Sequence, residues 1–432
     1  MKVLIVGGGG REHALAWKAA QSPLIDEILV APGNAGTDRE PKIRNVNLAA
    51  DDIDSLVELA QTEAVRLTII GPEQPLVAGI VDRFEAAGLT CFGPRSAAAK
   101  LEGSKSFTKD FLARHAIPTA AYETFDEVGS ALEYIHSRGA PIVIKADGLA
   151  SGKGVIVAAT TEEAEAAVRD MLEQNAFGDA GASVVIEDFL EGEEASFIAI
   201  VDGTDILPLA TSQDHKTRDE GDKGPNTGGM GAYSPAPVIT PEVHDRIMQQ
   251  IMIPTVNGMA EEGAVYRGFL YAGLMIDADS QPRVIEFNCR FGDPETQPIL
   301  ARLHSDLVEL CLKACDGSLD EADVAWDPRA SLGVVSASDG YPGSYEKGAV
   351  IHGLDAELGD DVIVFHAGTR LENGDVVTSG GRVLCTVALG DTVSSASDLA
   401  YEALEKVGWE GAFFRRDIGY RAIAREQVRK DS

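Results

Sequence analysis

The sequence predicts a multidomain α/β and α+β protein, and three observations support this fold class. At 432 residues the chain exceeds what one compact core accommodates, so several domains are expected. Short apolar runs alternate with helical stretches up to about residue 102, which predicts a doubly wound parallel sheet. Beyond residue 328, strand patterns resume around one helical stretch, which predicts a small α+β domain.

The chain is strongly acidic, with 37 Lys+Arg against 69 Asp+Glu and a net charge of -32. Such a field repels phosphate backbones, so binding to nucleic acid or to an anionic membrane is not expected. No long apolar run is present, and the five scattered cysteines form neither a disulfide framework nor CxxC pairs. We therefore expect a cytoplasmic protein in which an anionic substrate needs a local basic pocket.

The first strand runs into four glycines, residues 7–10, at the start of a helix. Free N–H groups and the helix dipole make such a turn an anion site. A dinucleotide-binding fingerprint is incomplete, because Glu12 replaces its third glycine and no acid follows the second strand to hold a ribose. The turn is therefore predicted to hold a smaller phosphate. Residues 71–76 either face the same crevice or form a simple turn.

Residues 141–157 place a loop of Gly, Ser and Lys between two apolar strands. Its glycines allow backbone N–H groups to approach phosphate oxygens, and Lys145 and Lys153 add charge. The loop is not a Walker loop, since its spacing differs and a strand follows it instead of a helix. A mobile hairpin is the alternative, but it gives no reason for Lys145 inside an apolar strand. Burying that lysine unpaired is costly, so a phosphate partner is predicted.

The strand at residues 184–190 and the acidic connector behind it suggest a nucleoside site. Backbone groups near its end are placed to read an adenine edge and Glu194 to take ribose hydroxyls, although Glu-rich connectors are usually only solvated. Residues 213–233 form a long segment rich in basic residues and glycine, which favours an active-site flap over disorder. Arg382 could line a site, but it is expected to be satisfied in the core or at the surface.

A short strand ending at residue 288 carries two neighbouring oxygen donors. Glu286 and Asn288 alternate with buried apolar residues, so both project from one strand face. A carboxylate and an amide oxygen side by side are ligands that Mg²⁺ takes together with nucleotide phosphates. Arg290 and Asp293 then crowd a Gly-Pro turn, which is costly unless something is bound there. An ordinary charged turn explains any two of these residues, but not the full string.

Together these motifs resemble the phosphoribosylamine–glycine ligases (glycinamide ribonucleotide synthetases) of the ATP-grasp superfamily. The resemblance extends from the glycine turn to residues 415–419, essentially the whole length. Residues 290–297 (RFGDPETQ) match the signature of that family, and residues 224–233 (GPNTGGMGAY) match its flap. Several long motifs in the right order are far more specific than a single glycine turn.

The resemblance implies an ATP-grasp fold in four parts, with ATP between the lid and the central domain. The expected boundaries are 1–102 for the N-terminal domain, 103–122 and 190–327 for the central domain, 123–189 for the lid and 328–428 for the C-terminal domain. The implied reaction joins glycine to 5-phospho-β-D-ribosylamine through glycyl phosphate, releasing ADP and phosphate, in purine biosynthesis. A monomer is expected.

The resemblance also assigns residues to ATP and its metal ion. Phosphates are expected at Lys105, Lys145 and the loop with Gly152, Lys153 and Gly154. Adenine is expected at Glu187, Asp188 and Leu190, and the ribose at Glu194. Glu286 and Asn288 are expected to bind Mg²⁺ or Mn²⁺ between the β- and γ-phosphates.

Other residues are assigned to the substrates and the chemistry. Arg290 is expected to neutralise the glycine carboxylate or the acyl phosphate, acting with Lys145 and Asp293 as the catalytic set. The phosphoribosylamine pocket is expected to contain Gly10, Glu73, Asp214, Lys216 and Arg290.

One strand departs from the wider ATP-grasp pattern. Residues 272–277, before the metal strand, are apolar in the middle, and Asp277 lies near the turn, which leaves a third metal carboxylate open. Two alternative functions remain. Another ATP-grasp ligase or carboxylase, such as a purine-pathway carboxylase that activates bicarbonate, is disfavoured by residues 290–297 and by the flap. A non-catalytic or NAD-type nucleotide-binding protein is disfavoured by the missing ribose acid and by the intact set of Lys145, Glu286 and Asn288.

Overall fold

The computed structural model of the protein describes residues 1–150, 154–173 and 182–430. Gly152 and Lys153, which are predicted to bind phosphate, lie outside the described residues. Within the described part of the chain, no helix combines the length and the apolar character that crossing a membrane requires.

The N-terminal part forms a parallel sheet flanked by helices, as its apolar runs predict. Its elements are β1 (Lys2–Gly7), α1 (Gly10–Ala20), β2 (Glu27–Pro32), a 3₁₀ turn (Thr37–Arg39), β3 (Ile43–Asn45), α2 (Ile53–Thr62), β4 (Leu67–Ile70), α3 (Glu73–Val77), α4 (Ile80–Ala86) and β5 (Cys91–Phe92). The strand order is β3-β2-β1-β4-β5. Alternate residues of β1 join two different apolar cores, because both faces of the sheet are covered. At the start of α1 the Glu12 carboxylate accepts the Gly9 N–H at 2.6 Å, which satisfies one donor of the glycine turn.

Two helices and a four-stranded antiparallel sheet follow. Their elements are α5 (Ser96–Gly103), α6 (Lys105–Arg114), β6 (Tyr122–Phe125), α7 (Val128–Arg138), β7 (Ile142–Ala146), β8 (Val155–Ala158), α8 (Thr161–Leu172) and β9 (Val184–Asp188). The sheet has the order β6-β9-β7-β8, and α7 and α8 contribute to its apolar core. Glu187 of β9 pairs with Val143 of β7, which makes Lys145 its diagonal neighbour on the same face.

A second antiparallel sheet carries the predicted metal ligands on its edge strand. The elements from residue 193 to 316 are β10 (Glu193–Val201), β11 (Ile206–Pro208), β12 (Gln213–Asp214), β13 (Thr217–Asp219), β14 (Lys223–Asn226), β15 (Gly231–Ser234), α9 (Pro241–Ile247), a π turn (Met248–Met252), α10 (Ile253–Glu261), β16 (Gly268–Ile276), β17 (Pro282–Asn288), α11 (Thr296–Arg302) and α12 (Leu307–Asp316). The sheet has the order β11-β10-β16-β17. Its apolar face packs on α9 and α10, which leaves the other side of β17 to face the site.

The C-terminal part is a small α+β unit, as predicted. Its elements are a 3₁₀ turn (Leu319–Glu321), β18 (Ala330–Ser338), β19 (Val362–His366), β20 (Thr369–Glu372), β21 (Asp375–Thr378), β22 (Arg382–Gly390), α13 (Val393–Leu404), β23 (Ala412–Phe413) and α14 (Tyr420–Lys430). The main sheet runs β12-β15-β18-β22-β19, with β23 beside β18. α13 packs across β18 and β22 and completes the local core.

The segment predicted as a long loop at residues 213–233 contains four short strands instead. β12 and β15 extend the C-terminal sheet, so this sheet joins residues from both sides of the predicted boundary at 327. Gly231 makes the pairing possible, because a Cβ there would lie 2.6 Å from the Gly333 carbonyl oxygen. β13 and β14 form a separate hairpin that Arg415 holds through Thr217 and Asp222. The domain boundaries themselves stay predictions.

Candidate functional site

A cavity of about 1230 Å³ lies between the lid sheet (the sheet β6-β9-β7-β8, within the predicted lid), the edge strand β17 and the β13–β14 hairpin. The predicted site residues that line it are Lys105, Lys145, Gly154, Glu187, Asp188, Leu190, Glu194, Glu73, Asp214, Lys216, Glu286, Asn288, Arg290 and Asp293. Among the described candidates, Gly10 is the exception. It packs against Gln297, where a Cβ would lie 2.6 Å from the amide nitrogen. Long-range folding therefore brings together residues that lie far apart in the sequence.

Glu286 and Asn288 reach the cavity from β17, as strand alternation predicts. The pairing of β16 with β17 shifts register after Gly273, so Ile285 is an extra residue in β17. Ile285 also lines the cavity, whereas its neighbour Val284 is buried in the apolar core. Four consecutive positions of β17, residues 285–288, line the cavity, and simple alternation could not predict this.

The surroundings of Glu286 favour its ionised form. Burial raises the pKa of Glu286, but the combined effect of Lys216, Lys145 and Lys105 outweighs burial, so the pKa lies below its ordinary value. Lys216 lies 3.9 Å from the carboxylate. An ionised carboxylate amid cations can neutralise a site that also receives phosphates.

The donor set fits a divalent cation that shares its coordination sphere with phosphates. Mg²⁺ is often held by one or two protein oxygen ligands, with phosphates and waters completing the octahedron. Glu286 and Asn288 supply that pair, and the described residues contain no group of three acidic, His or Cys side chains suited to a metal. Asp277 accepts the N–H groups of Asp279 and Gln281, so its Oδ1 is used in its own turn. Asn288 Oδ1 accepts a hydrogen bond from Arg290 at 3.0 Å, which a metal ion would replace.

Lys145 has partners within the protein, so its burial does not by itself require the predicted phosphate. Its ammonium forms an ion pair with Glu187 and donates to the Ile285 carbonyl oxygen at 3.0 Å. The sequence pattern could not reveal this, because Glu187 comes from a strand 42 positions further along the chain. A buried lysine is thus compensated within the protein, and its predicted contact with phosphate stays a prediction.

Lys105 is the second cation at this end of the cavity. It stands at the first position of α6, where Ser104 caps the helix by accepting the Phe107 N–H at 3.2 Å. Its ammonium donates to the Gly148 carbonyl oxygen at 3.0 Å. Burial lowers the pKa of Lys105, although Glu286 opposes the shift. A partly desolvated ammonium of this kind gains strongly from a phosphate partner.

Of the residues predicted to contact adenine, two have side chains that are held in ion pairs. The Glu187 carboxylate is used in ion pairs with Lys109 and Lys145. Asp188 forms an ion pair with Arg138, with Nε 3.0 Å from Oδ1. Both side chains are therefore engaged, and the backbone beside Leu190 is the part of this connector that remains for base recognition.

Arg290 lies between two carboxylates from the N-terminal side of the cavity. It lies 3.1 Å from Glu102 and 3.4 Å from Glu73. Burial raises the pKa of Glu102 to about 7, although Arg290 opposes the shift. The Glu102 carboxylate also accepts the Cys289 N–H at 2.7 Å. Arg290 is therefore already paired, so a glycine carboxylate would have to compete with these acids.

Asp293 is tied to the C-terminal part through Arg382. Arg382 Nη2 lies 3.0 Å from Asp293 Oδ2, and Nη1 donates to the Asp293 carbonyl oxygen at 2.8 Å. Gln297 donates to the other carboxylate oxygen at 3.0 Å. Arg382 also donates to Gly228 and Gly229 carbonyl oxygens in the flap segment. Arg382 is thus satisfied by protein contacts, and it also lines the cavity, where it joins three segments of the chain.

Lys216, Asp214 and Glu194 form a charged group opposite Glu286. Lys216 lies 2.9 Å from Glu194. Burial raises the pKa of Asp214 to about 8, with Glu295 and Glu194 adding to the effect and Lys216 opposing it. Burial also lowers the pKa of Lys216, but Glu194 and Asp214 raise it well above the ordinary value. The prediction gave Glu194 and Lys216 to different ligands, the ribose of ATP and phosphoribosylamine. In the structure the two residues form one ion pair.

Lys109 and Glu102 are cavity residues that the sequence reasoning missed. Lys109 lies four positions after Lys105 on α6, so helical periodicity places both on one face and could have indicated it. Glu102 lies at the end of α5 with no local signal, and only the fold brings it to Arg290.

Comparisons with known proteins agree over the whole chain. Three models of one family match, described as phosphoribosylglycinamide synthetase N domain at residues 1–102, ATP-grasp (A) domain at 103–296 and C domain at 331–421. The phosphoribosylamine–glycine ligase of Vibrio vulnificus strain CMCP6 is 65% identical over 427 residues, covering 99% of this chain and 100% of that protein.

Solved structures show the same fold. The crystal structure of phosphoribosylamine–glycine ligase from Thermotoga maritima has a TM-score of 0.84 and 35% identity, covering 97% of this chain and 100% of that one. The biotin carboxylase β-γ-ATP complex of Campylobacter jejuni has a TM-score of 0.73 at 15% identity, covering 95% and 92%, a likeness of fold alone. The predicted ATP-grasp fold is confirmed, and the chain belongs to the phosphoribosylamine–glycine ligase family.

Proposed function

We propose that the chain catalyses the ATP-dependent ligation of glycine to 5-phospho-β-D-ribosylamine. The products are ADP, phosphate and N1-(5-phospho-β-D-ribosyl)glycinamide, an intermediate of purine biosynthesis. The observation that carries the proposal is the 65% identity to a phosphoribosylamine–glycine ligase over the full length of both chains. The cavity supports it, because lysines and a carboxylate–amide donor pair line the same space.

Phosphoryl transfer depends mainly on positioning and charge neutralisation. Lys105 and Lys145 would hold the nucleotide phosphates between the lid sheet and β17. The 3.0 Å contact of Lys145 with the Ile285 carbonyl oxygen supports this, because it sets the lysine beside the strand that carries Glu286. The backbone near Leu190 would take the adenine and Glu194 the ribose.

A divalent ion, Mg²⁺ or Mn²⁺, would be held by Glu286 and Asn288. When bound, such an ion neutralises charge on the phosphates during transfer. Glu286 suits this role because the surrounding cations keep its carboxylate ionised. Asn288 would exchange its hydrogen bond from Arg290 for the ion, which frees a guanidinium N–H for a substrate.

The first chemical step would be attack of a glycine carboxylate oxygen on the γ-phosphorus. The bond from that phosphorus to the ADP oxygen breaks, and glycyl phosphate forms. Arg290 would orient the carboxylate and offset its charge, in competition with Glu73 and Glu102. Asp293 would act by fixing the signature turn, since both its carboxylate oxygens already accept hydrogen bonds.

The second step would be attack of the phosphoribosylamine nitrogen on the acyl carbon. A carbon–nitrogen bond forms, the carbon–oxygen bond to phosphate breaks, and the departing phosphate takes up the proton that the nitrogen loses. Lys216 and Asp214, which line the cavity, would hold the amine substrate. The lid and the β13–β14 hairpin would exclude water from glycyl phosphate, which hydrolyses easily.

The test is ADP release with MgATP and phosphoribosylamine generated in situ, with and without glycine. The proposal expects turnover that needs both substrates and yields glycinamide ribonucleotide in equal amount. ADP release that depends on bicarbonate instead would replace the substrate assignment with that of a carboxylase. ATP binding without turnover on any acid would indicate a binding protein.

A monomer is expected in gel filtration with light scattering, and a stable dimer would contradict it.

A further inference from the structure

Three charged side chains form a buried row beside the predicted phosphate site. Glu187 lies between two lysines, and each of its carboxylate oxygens forms an ion pair with one ammonium, from Lys109 and Lys145. The side chains of Lys109 and Glu187 each expose 4%, and that of Lys145 exposes 5%. All three line the cavity. Lys145 is predicted to bind phosphate, whereas Lys109 has no role in the reaction described so far.

Both ends of this row hold the strand that carries the predicted metal ligand. Lys109 donates to Thr119 Oγ1 at 2.7 Å, and that hydroxyl donates to the Val284 carbonyl oxygen at 2.7 Å. Lys145 donates to the Ile285 carbonyl oxygen at 3.0 Å. The two acceptors are consecutive and immediately precede Glu286. The row therefore links α6, the lid sheet and β17 next to the metal site.

The charges in the row do not cancel. Two ammonium groups share one carboxylate, so the row carries one excess positive charge when all three are ionised. Burial lowers the pKa of Lys109 to about 8, although Glu187 opposes the shift. Burial raises the pKa of Glu187, but the two lysines lower it below the ordinary value. The two lysines therefore favour the ionised form of Glu187, and the ion pairs give this carboxylate one cation more than it needs.

We propose that Lys109 is a positioning residue that keeps Glu187 paired while Lys145 turns to the nucleotide phosphates. A buried carboxylate left without a partner is strongly destabilising, so Lys145 can leave Glu187 only if another cation stays. Lys109 is that cation. Without it, Lys145 and Glu187 form a neutral buried pair, and phosphate has to compete with Glu187 for the lysine.

This inference rests on the proposed function, because it takes nucleotide phosphates as the partner of Lys145. It differs from the sequence-based assignment of the Glu187 side chain to adenine. If Glu187 held the base directly, its loss would weaken ATP binding. If Glu187 instead competes with phosphate for Lys145, its loss does not weaken binding. The two assignments therefore predict opposite results for one substitution.

The test measures the dissociation constant of ATP in Mg²⁺ by isothermal titration calorimetry, using the full chain without glycine. Lys109→Met is expected to weaken ATP binding by roughly tenfold, because Lys145 stays with Glu187. Glu187→Gln in the same background is expected to return the constant to within about threefold of wild type, because the excess charge is restored. Glu187→Gln alone is expected to bind no more weakly than wild type. Lys100→Met, an exposed lysine on the preceding helix, is the matched control and is expected to change nothing.

Three outcomes would overturn the proposal. These are wild-type affinity in Lys109→Met, no recovery in the double variant, and weakened binding in Glu187→Gln. Circular dichroism and thermal melting establish that each variant is folded. If Lys109→Met does not fold, Lys109→Arg and Glu187→Gln decide, since the proposal requires both to keep ATP affinity. Because ATP binding is read without glycine, absence of ligase turnover in the wild type would refute the proposed function and leave this result standing.

Discussion

Substitution of Glu286 by Gln tests the metal site most directly. The change keeps the size of the side chain and removes its charge, so packing on β17 is preserved. In the structure this carboxylate faces Lys105, Lys145 and Lys216, and these cations lower its pKa. With Gln in its place, the cavity wall has no anionic member of the donor pair, and the same cations repel a divalent ion.

The expected loss follows from the share of catalysis that the metal ion supplies. Neutralisation by a bound ion contributes several kcal/mol to phosphoryl transfer. Asn288 keeps one oxygen, so we assign about 3–4 kcal/mol to the carboxylate, which corresponds to roughly 10²–10³ in kcat/KM. The fold is expected to persist, because removing the charge relieves the burial cost that opposes it.

The assay is ADP release in the complete reaction, titrated with Mg²⁺ and with Mn²⁺. The variant is expected to need more of either metal and to stay slower at saturation. Glu85→Gln, on α4, changes the same residue type outside the cavity-lining set and serves as control. Near-normal turnover of Glu286→Gln in Mg²⁺ would falsify the metal assignment.

The remaining predictions concern the loop contacts and pH. Arg382→Met leaves Asp293 with Gln297 as its remaining side-chain donor. Because the side chains of the Arg382–Asp293 pair are 18–20% exposed, the free energy of unfolding is expected to fall by roughly 2–3 kcal/mol, below the roughly 3–5 kcal/mol of a fully buried pair. Urea unfolding measures this loss. Asp293→Asn in that background should recover part of it, and full stability of Arg382→Met would contradict the contact. Glu102 has a raised pKa of about 7, so its folded form keeps a proton that the unfolded chain loses near 4.5, and stability falls as pH rises between these values. Glu102→Gln is expected to remove up to roughly 3 kcal/mol of that pH dependence in thermal melts, and an unchanged slope would refute the shifted pKa.

The elements of the fold follow from local patterns to different degrees. The parallel N-terminal sheet is predictable because continuous apolar runs identify strands buried on both faces. The joining of β12 and β15 to the C-terminal sheet is not, since pairing between strands about 100 residues apart depends on packing that no local pattern encodes. The bulge at Ile285 could not be predicted for the same reason, because it appears only once β17 is paired with β16.

Candidate site residues that belong to local motifs could be predicted from the sequence. Their oppositely charged partners within the protein could not. Glu286, Asn288 and Lys145 are visible because polar residues interrupt apolar strands. Glu102 gives no such signal, because it is one acid among 69 Asp+Glu until the fold sets it beside Arg290. The partners of buried charged residues come from distant segments of the chain. From the sequence alone such a residue looks unpaired and is assigned to a ligand, although another side chain of the protein already neutralises it.

This neutralisation explains how a chain of net charge -32 can bind an anionic nucleotide. The cavity contains Lys105, Lys145, Lys216 and Arg290, which counter the general field locally. Each described cation contacts a carboxylate or a carbonyl oxygen, so the site is stable before any substrate enters. Binding of phosphate then exchanges one partner for another instead of desolvating a free ammonium. The cost of the exchange depends on whether the abandoned carboxylate keeps a second cation, and Glu187 is the residue for which the structure supplies one, Lys109.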